Sequence, residues 1–283
     1  TCSNHVYFAH NNVQDIYGGD REAMTMDGHG TAYLGSVEKA SGTKVHLSEA
    51  PHWGSPHDKD QIPSPPDGTL FVLDGRGAGQ RRRVESAEGA TLTIDRPFQV
   101  APDGTSTVHI GISTEQHLFI GNEMTDTGSV VQLYPPNAEC IVAENRGIRG
   151  GNFISAGHIT ATTGEPTGRV EPSWMNQFID NVIVEGNGWD GGPSKVNGWL
   201  GGESAMIMYG MHAHPDCRVP IHRWQVVRRH CGENNSAMCL AGALSETLVE
   251  DCSLARNERG IRIKPTANAV AEAEGQDLLG SPR

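Results

Sequence analysis

A chain of 283 residues, 36% hydrophobic with mean hydropathy -0.43, can bury a core unaided but holds no run near the roughly 20 apolar residues of a membrane span. Its net charge of -12 argues against nucleic acid as a partner. Thirty-five glycines without a three-residue period exclude collagen, and six cysteines are too few for a disulfide scaffold.

In chain order, six segments share one grammar: alternating apolar residues, a small polar turn, then a second short strand. Val6-Tyr7-Phe8 leads to Asn12, Leu118-Phe119-Ile120 to Asn122, and Ile141-Val142 to Asn145. Val182-Ile183-Val184 leads to Asn187, Val226-Val227 to Cys231, and Leu248-Val249 to Cys252. The steps between these turns are 110, 23, 42, 44 and 21 residues. Steps of 21 and 23 fit one coil of a solenoid, 42 and 44 a coil with an enlarged turn, and 110 an inserted module.

The second strands align as Met24–Asp27, Val131–Tyr134, Ile154–Gly157, Met206–Tyr209, Met238–Ala241 and Ile261–Lys264. First and third positions are apolar and read as core; second and fourth positions are mixed and read as a wet face. Between about 29 and 112 the rhythm breaks into a compact antiparallel unit, with strands at Thr43–Leu47, Thr69–Leu73, Gln80–Val84 and Thr91–Ile94. The expected organisation is a coil unit over 1–28 and 113–283, with a barrel- or sandwich-like module over 29–112. Gly75-Arg76-Gly77-Ala78-Gly79-Gln80 lacks the features of a nucleotide loop and reads as a strand-connecting turn. Cys231 and Cys252 share a column in adjacent coils, within disulfide reach or as a stacked pair of thiols.

This pattern resembles the right-handed parallel β-helix of the pectate-lyase-like superfamily, with Asn12, Asn122, Asn145 and Asn187 standing where that fold stacks its turn asparagines. The resemblance covers 1–28 and roughly 113–264. It implies an all-β solenoid whose ligand groove runs along one exposed parallel sheet. Six strands about 4.8 Å apart make a groove of about 29 Å, suited to an extended glycan. On the aligned sheet it would expose Thr25, Asp27, Gln132, Tyr134, Ser155, Tyr209, Arg262 and Lys264, with His29, His158, His212 and His214 in the adjoining turn.

Hydrolysis of a glycosidic bond needs two carboxyl groups. Asp27 is the carboxylate clearly on the exposed sheet, Glu22 starts the same strand, Glu203 lies coils away, and Asp180 and Asp190 could lean in. β-Elimination would instead use Arg262 or Lys264 to neutralise a uronate, and His158, His212, Tyr134 or Tyr209 to move protons. Gly260-Ile261-Arg262-Ile263-Lys264 is similar to the Arg-Ile-Lys strand of polygalacturonases. That family's paired aspartates are missing where Met206-Ile207-Met208 and Met238-Cys239-Leu240 stand, so its mechanism does not carry over. His212, His214 and Asp216 have the spacing of a metal-binding loop, and acidic turns including Asp190 and Glu203 could take calcium; no cofactor is required.

The expectation is therefore a polysaccharide-cleaving enzyme, hydrolysis slightly ahead of elimination. The catalytic candidates are Asp27, Glu22, Glu203, His158 and His212, and the substrate-binding candidates Gln132, Tyr134, Tyr209, Arg262, Lys264 and His29. The inserted module would wall or cover the groove. The alternative is a non-catalytic glycan-binding or structural β-helix of a surface or tail fibre. Either would work outside the cytoplasm, secreted or periplasmic, although Thr1-Cys2-Ser3-Asn4 is no signal peptide.

Overall fold

The computed structural model describes residues 4–16, 22–53, 68–160, 169–186, 204–211, 221–233, 236–241, 244–257 and 259–264. Every regular element among them is a β-strand. Four parallel sheets are threaded in turn, and each strand pairs with the strand one circuit later. Sheet I takes Thr114–Glu115, Asn137–Ala138, Ser173–Trp174, His222–Arg223 and Leu244–Ser245; sheet II begins Tyr7–Ala9, Leu118–Ile120, Ile141–Ala143. Sheet III begins Asn12–Gln14, Glu123–Thr125, Arg146–Ile148. Sheet IV takes Thr25–Asp27, Val131–Tyr134, Phe153–Thr160, Ser204–Met211, Ser236–Ala241 and Arg259–Lys264, and Arg169–Glu171 pairs antiparallel to its third strand.

The passage through sheets I, II and III has constant length. It takes twelve residues from Thr114 to Thr125, again from Asn137 to Ile148, and again from Ser173 to Val184. Each corner carries a residue in the left-handed backbone region. One corner runs Gln116, Glu139, Met175, Trp224, Glu246 and the next Glu144, Asp180, Arg229, Asp251. That conformation turns the chain sharply between three-residue strands, and its cost of about 1 kcal/mol per residue is carried by the pairing on both sides. Inward, Phe8, Phe119, Val142, Phe178, Val227 and Val249 stack in one register column and join Met124, Leu133, Phe153 and Met206 in the core.

The turn ladder runs through Asn11, Asn122, Asn145 and Asn181. In each step one Oδ1 accepts from both the backbone N–H and the Nδ2 of the preceding rung, at 2.9–3.1 Å. Every Nδ2 also reaches a strand carbonyl, as Asn145 does at Phe119 (2.8 Å). Rung spacings are 111, 23 and 36 residues. The ladder asparagines are therefore 11 and 181 rather than the expected 12 and 187: Asn12 lies exposed on the next strand, and Asn187 lies outside the described residues. His230 stands at the next corner, just before Cys231, which pairs with the Val182 position. It is fully buried, and burial pushes its pKa down to about 4 against the opposing effect of the Asn181 backbone.

Cys231 and Cys252 do not share a column, because the bridge pairs Cys231 with Ser253. Both are free thiols. Cys252 turns to the core, its Sγ on the Val227 and Glu250 carbonyls.

His29–Ser41, Lys44–Leu47, Thr69–Asp74, Arg81–Glu88, Thr91–Ile94 and Thr107–Ile112 close an antiparallel barrel. Val45, Leu70, Val72, Val84, Leu92, Ile94, Val108 and Ile110 fill it at 0% exposure. The first and last of these strands escaped the sequence pattern. Register shifts within His29–Ser41 break its two-residue alternation.

The barrel is fastened to the outward side of sheet I. Phe71 and Leu73 pack with Ala138, Val170, Trp174 and Ile221 in a buried cluster, the Phe71 and Trp174 rings meeting edge to face at 5.0 Å. The Arg81 guanidinium joins Glu115 (2.5 Å) and Glu139 (2.7 Å), and Thr69 Oγ1 donates to the other Glu115 oxygen at 3.0 Å. Burial opposes the Arg81 charge, yet the two carboxylates hold its pKa above the ordinary value. Arg82 is buried against Phe98, so only Arg83 of the three consecutive arginines is exposed. His109, on the barrel's last strand, is fully buried with Thr31 Oγ1 at 3.3 Å, and burial lowers its pKa to about 4 against the opposing charge of Glu171.

Candidate functional site

Sheet IV is built where its inward columns anchor it: Val131, Phe153, Met206 and Met238 align and are all 0% exposed. The outward columns follow from the same register. One is Thr25, Gln132, Ile154, Ile207, Cys239, Arg262; the other is Asp27, Tyr134, Ala156 and Ala241, with the backbones of Tyr209 and Lys264 in register beside Ala156 and Ala241.

The third strand is therefore displaced by one residue from the expected alignment: Phe153–Ala156, not Ile154–Gly157, is in register. A shift of one exchanges the two faces. Ser155, expected on the wet face, points inward and is fully buried, its hydroxyl 2.8 Å from Ser173 and donating to Gln225 at 3.2 Å. The face itself is not wet along its length. Ile154, Ala156, Ile207, Cys239 and Ala241 are at most 2% exposed and form an apolar cluster separate from the core, with Tyr134 packed on it.

What the face does bring together is at its first two strands. Asp27 is exposed and in direct register with half-buried Tyr134, while Thr25, also exposed, is in register with Gln132. Gln132 is only 3% exposed, so it lines the floor instead of offering its amide to solvent. A tyrosine ring seated on an apolar cluster beside an acceptor carboxylate can take the C–H side and the hydroxyls of one sugar ring together.

Several expected contributors stand elsewhere. Glu22 is not on the Asp27 strand but before it, in an isolated bridge to Ser129. His29 opens the barrel's first strand, paired with Ile112. His158 lies within a sheet IV strand and not in a turn, with Met211 and Glu171 as register neighbours. Arg262 is half-buried in register with Cys239, and Lys264 with Ala241, on the sixth strand. Asp180 is bound at the opposite side by Arg229, both carboxylate oxygens engaged. Glu203, Asp190, His212, His214 and Asp216 lie outside the described residues. Among the described residues no three His, Cys, Asp or Glu side chains gather as a metal-binding group.

No protein-family model and no curated protein matches the chain. Among solved structures it is similar to the tailspike protein gp49 from Pseudomonas phage LKA1, at 9% identity and TM-score 0.36, covering 94% of this chain and 49% of that one. The Pseudomonas phage phi297 tailspike gp61 gives 11% and 0.21, covering 93% and 63%. The Gp54 tailspike of Acinetobacter baumannii bacteriophage AP22, solved with A. baumannii capsular saccharide, gives 7% and 0.20, covering 95% and 72%. The chain thus spans about half the length of the first of these. At TM-scores below 0.5 these likenesses decide neither fold nor function.

Proposed function

We propose that this chain is a parallel β-helix protein of right-handed, pectate-lyase-like type that binds and cleaves a polysaccharide on the outward face of sheet IV. The coil unit spans 1–28 and 113–283, the barrel over 29–112 is its inserted module, and the protein acts outside the cytoplasm. The observation that supports the reading is the adjacency of exposed Asp27 and half-buried Tyr134 on neighbouring strands of one long parallel sheet. Tyr134 would hold a sugar ring, and Asp27 would act as one of the two carboxyls of hydrolysis. Hydrolysis stands ahead of elimination because the carboxylate is at the face while Arg262 stands five strands away.

The test is incubation of the whole chain with a panel of neutral and uronate-bearing polysaccharides. Reducing ends are followed together with ultraviolet absorbance of unsaturated products. New reducing ends without absorbance, abolished in Asp27→Asn and accompanied by weaker binding in Tyr134→Ala, are expected. Cleavage undiminished in Asp27→Asn, or no binding and no cleavage across the panel, would overturn the reading.

A further inference from the structure

A second exposed aromatic surface stands beside the barrel, at the corner between sheets I and II. There the left-handed corner positions of successive coils carry Gln116, Glu139, Met175, Trp224 and Glu246. Trp224 is held on three sides. Its ring meets Trp174 at 6.3 Å and 74°, lies 5.5 Å from the Arg223 guanidinium, and sits so close to Gly79 of the barrel that a Cβ there would fall 2.1 Å from Cη2. Arg223 is fixed in turn: Nη1 spans both oxygens of Glu246 at 2.9 and 3.2 Å, and Nη2 donates to the Leu73 carbonyl at 3.2 Å.

Clasping the barrel accounts for the contact with Gly79, but two features are left over. Trp224 is still 38% exposed, a large rigid aromatic surface. Beside it, Glu246 presents a half-exposed carboxylate. Because Glu246 already balances Arg223, the spot has no net positive charge to select an acid.

We propose that Trp224 and Glu246 form a binding subsite for a neutral sugar ring, whose C–H face stacks on the indole while its hydroxyls meet the carboxylate that Arg223 holds in place. The subsite stands on its own residues, apart from Asp27 and Tyr134, so either site can fail without the other.

The probes are neutral hexasaccharides (cellohexaose, maltohexaose, xylohexaose and mannohexaose) titrated into the whole chain, with binding read by saturation-transfer NMR and tryptophan emission. At least one is expected to bind. Trp224→Leu should weaken it roughly three- to tenfold, the scale of one lost aromatic contact. Glu246→Gln, which keeps the corner's shape, should weaken it as well, whereas Tyr134→Ala should leave the tryptophan emission response intact. Thermal unfolding of each variant separates lost binding from lost fold. No transfer to any hexasaccharide, or unchanged affinity in both Trp224→Leu and Glu246→Gln, would overturn the assignment.

Discussion

His230 shows how a single side chain can set an acid limit. It stands where a ladder asparagine would stand, and its pKa, like that of His109, is pushed down to about 4 by burial. A histidine whose folded pKa lies below the unfolded value of about 6.5 leaves stability intact above that pH. It withdraws stability as the pH falls toward 4, because the unfolded chain then binds the proton that the folded one refuses. Each should cost about 2 kcal/mol by pH 5. Denaturant unfolding at pH 8 and pH 5 should therefore show a drop of about 4 kcal/mol from the two, and His230→Asn should remove about half of it. An asparagine there can also take up the ladder bonding, so the variant should match or exceed the parent at pH 8. A drop of the same size in the variant would count against this account of His230. Five of the six expected segments fall in sheet II, but the fourth, Val182-Ile183-Val184, lies on sheet III, and the matching sheet II strand is Gln177–Ile179, whose Phe178 precedes Asn181 as Phe119 precedes Asn122 and Val142 precedes Asn145. Two of the turn asparagines were misplaced because Asn11-Asn12 and Asn181/Asn187 each offer a second candidate. The constant three-residue gap after the buried residue is the signal that would have chosen between them.

At the scale of the element, the ladder and the sheet differ in how firmly residues specify their place. Asn145 accepts from Asn122 and donates to Phe119 and Asn181. Asn145→Ala strands buried donors and acceptors on both neighbouring rungs and should cost about 2–4 kcal/mol in denaturant unfolding; a loss under about 1 kcal/mol would mean the rungs close without it. Sheet IV was harder to read. Alternation fixes register only when one face is wet, and around Phe153-Ile154-Ser155-Ala156 both faces are buried, so an apolar Ile154 looked like core and a buried Ser155 looked like surface. The same ambiguity made Gln132 a surface candidate. Asp27 and Tyr134 could be placed in sequence because their strands keep clear alternation. Trp224, Arg223 and Glu246 could not, since nothing in the local pattern says that the barrel's Gly79 will close over that corner.

For the molecule as a whole, the barrel is bolted on rather than hung as a cover. Its contacts reach Glu115, Ala138, Trp174 and Arg223 on four successive strands of sheet I. Through Val170 it also touches the strand Arg169–Glu171 that pairs with sheet IV, the sheet beside which a wall was expected. Arg81→Ala would leave Glu115, whose side chain is 8% exposed, without its cation, at a cost of about 3–5 kcal/mol. Hydrogen exchange should then show faster opening both in the barrel strand carrying Arg81 and in the coils around Glu115 and Glu139. Exchange accelerated in the barrel alone would mean that the two parts open separately.

The fixed twelve-residue passage through sheets I to III has a practical corollary for changing what the molecule holds. Bonded neighbours in successive circuits are 23, 36, 49 or 111 residues apart, and all of that variation is taken up on either side of sheet IV. The side with three-residue strands acts as a ruler that tolerates no added length. The flanks of sheet IV are where new segments can be spliced without disturbing the stack, so an engineer grafting a different specificity should cut there and nowhere else.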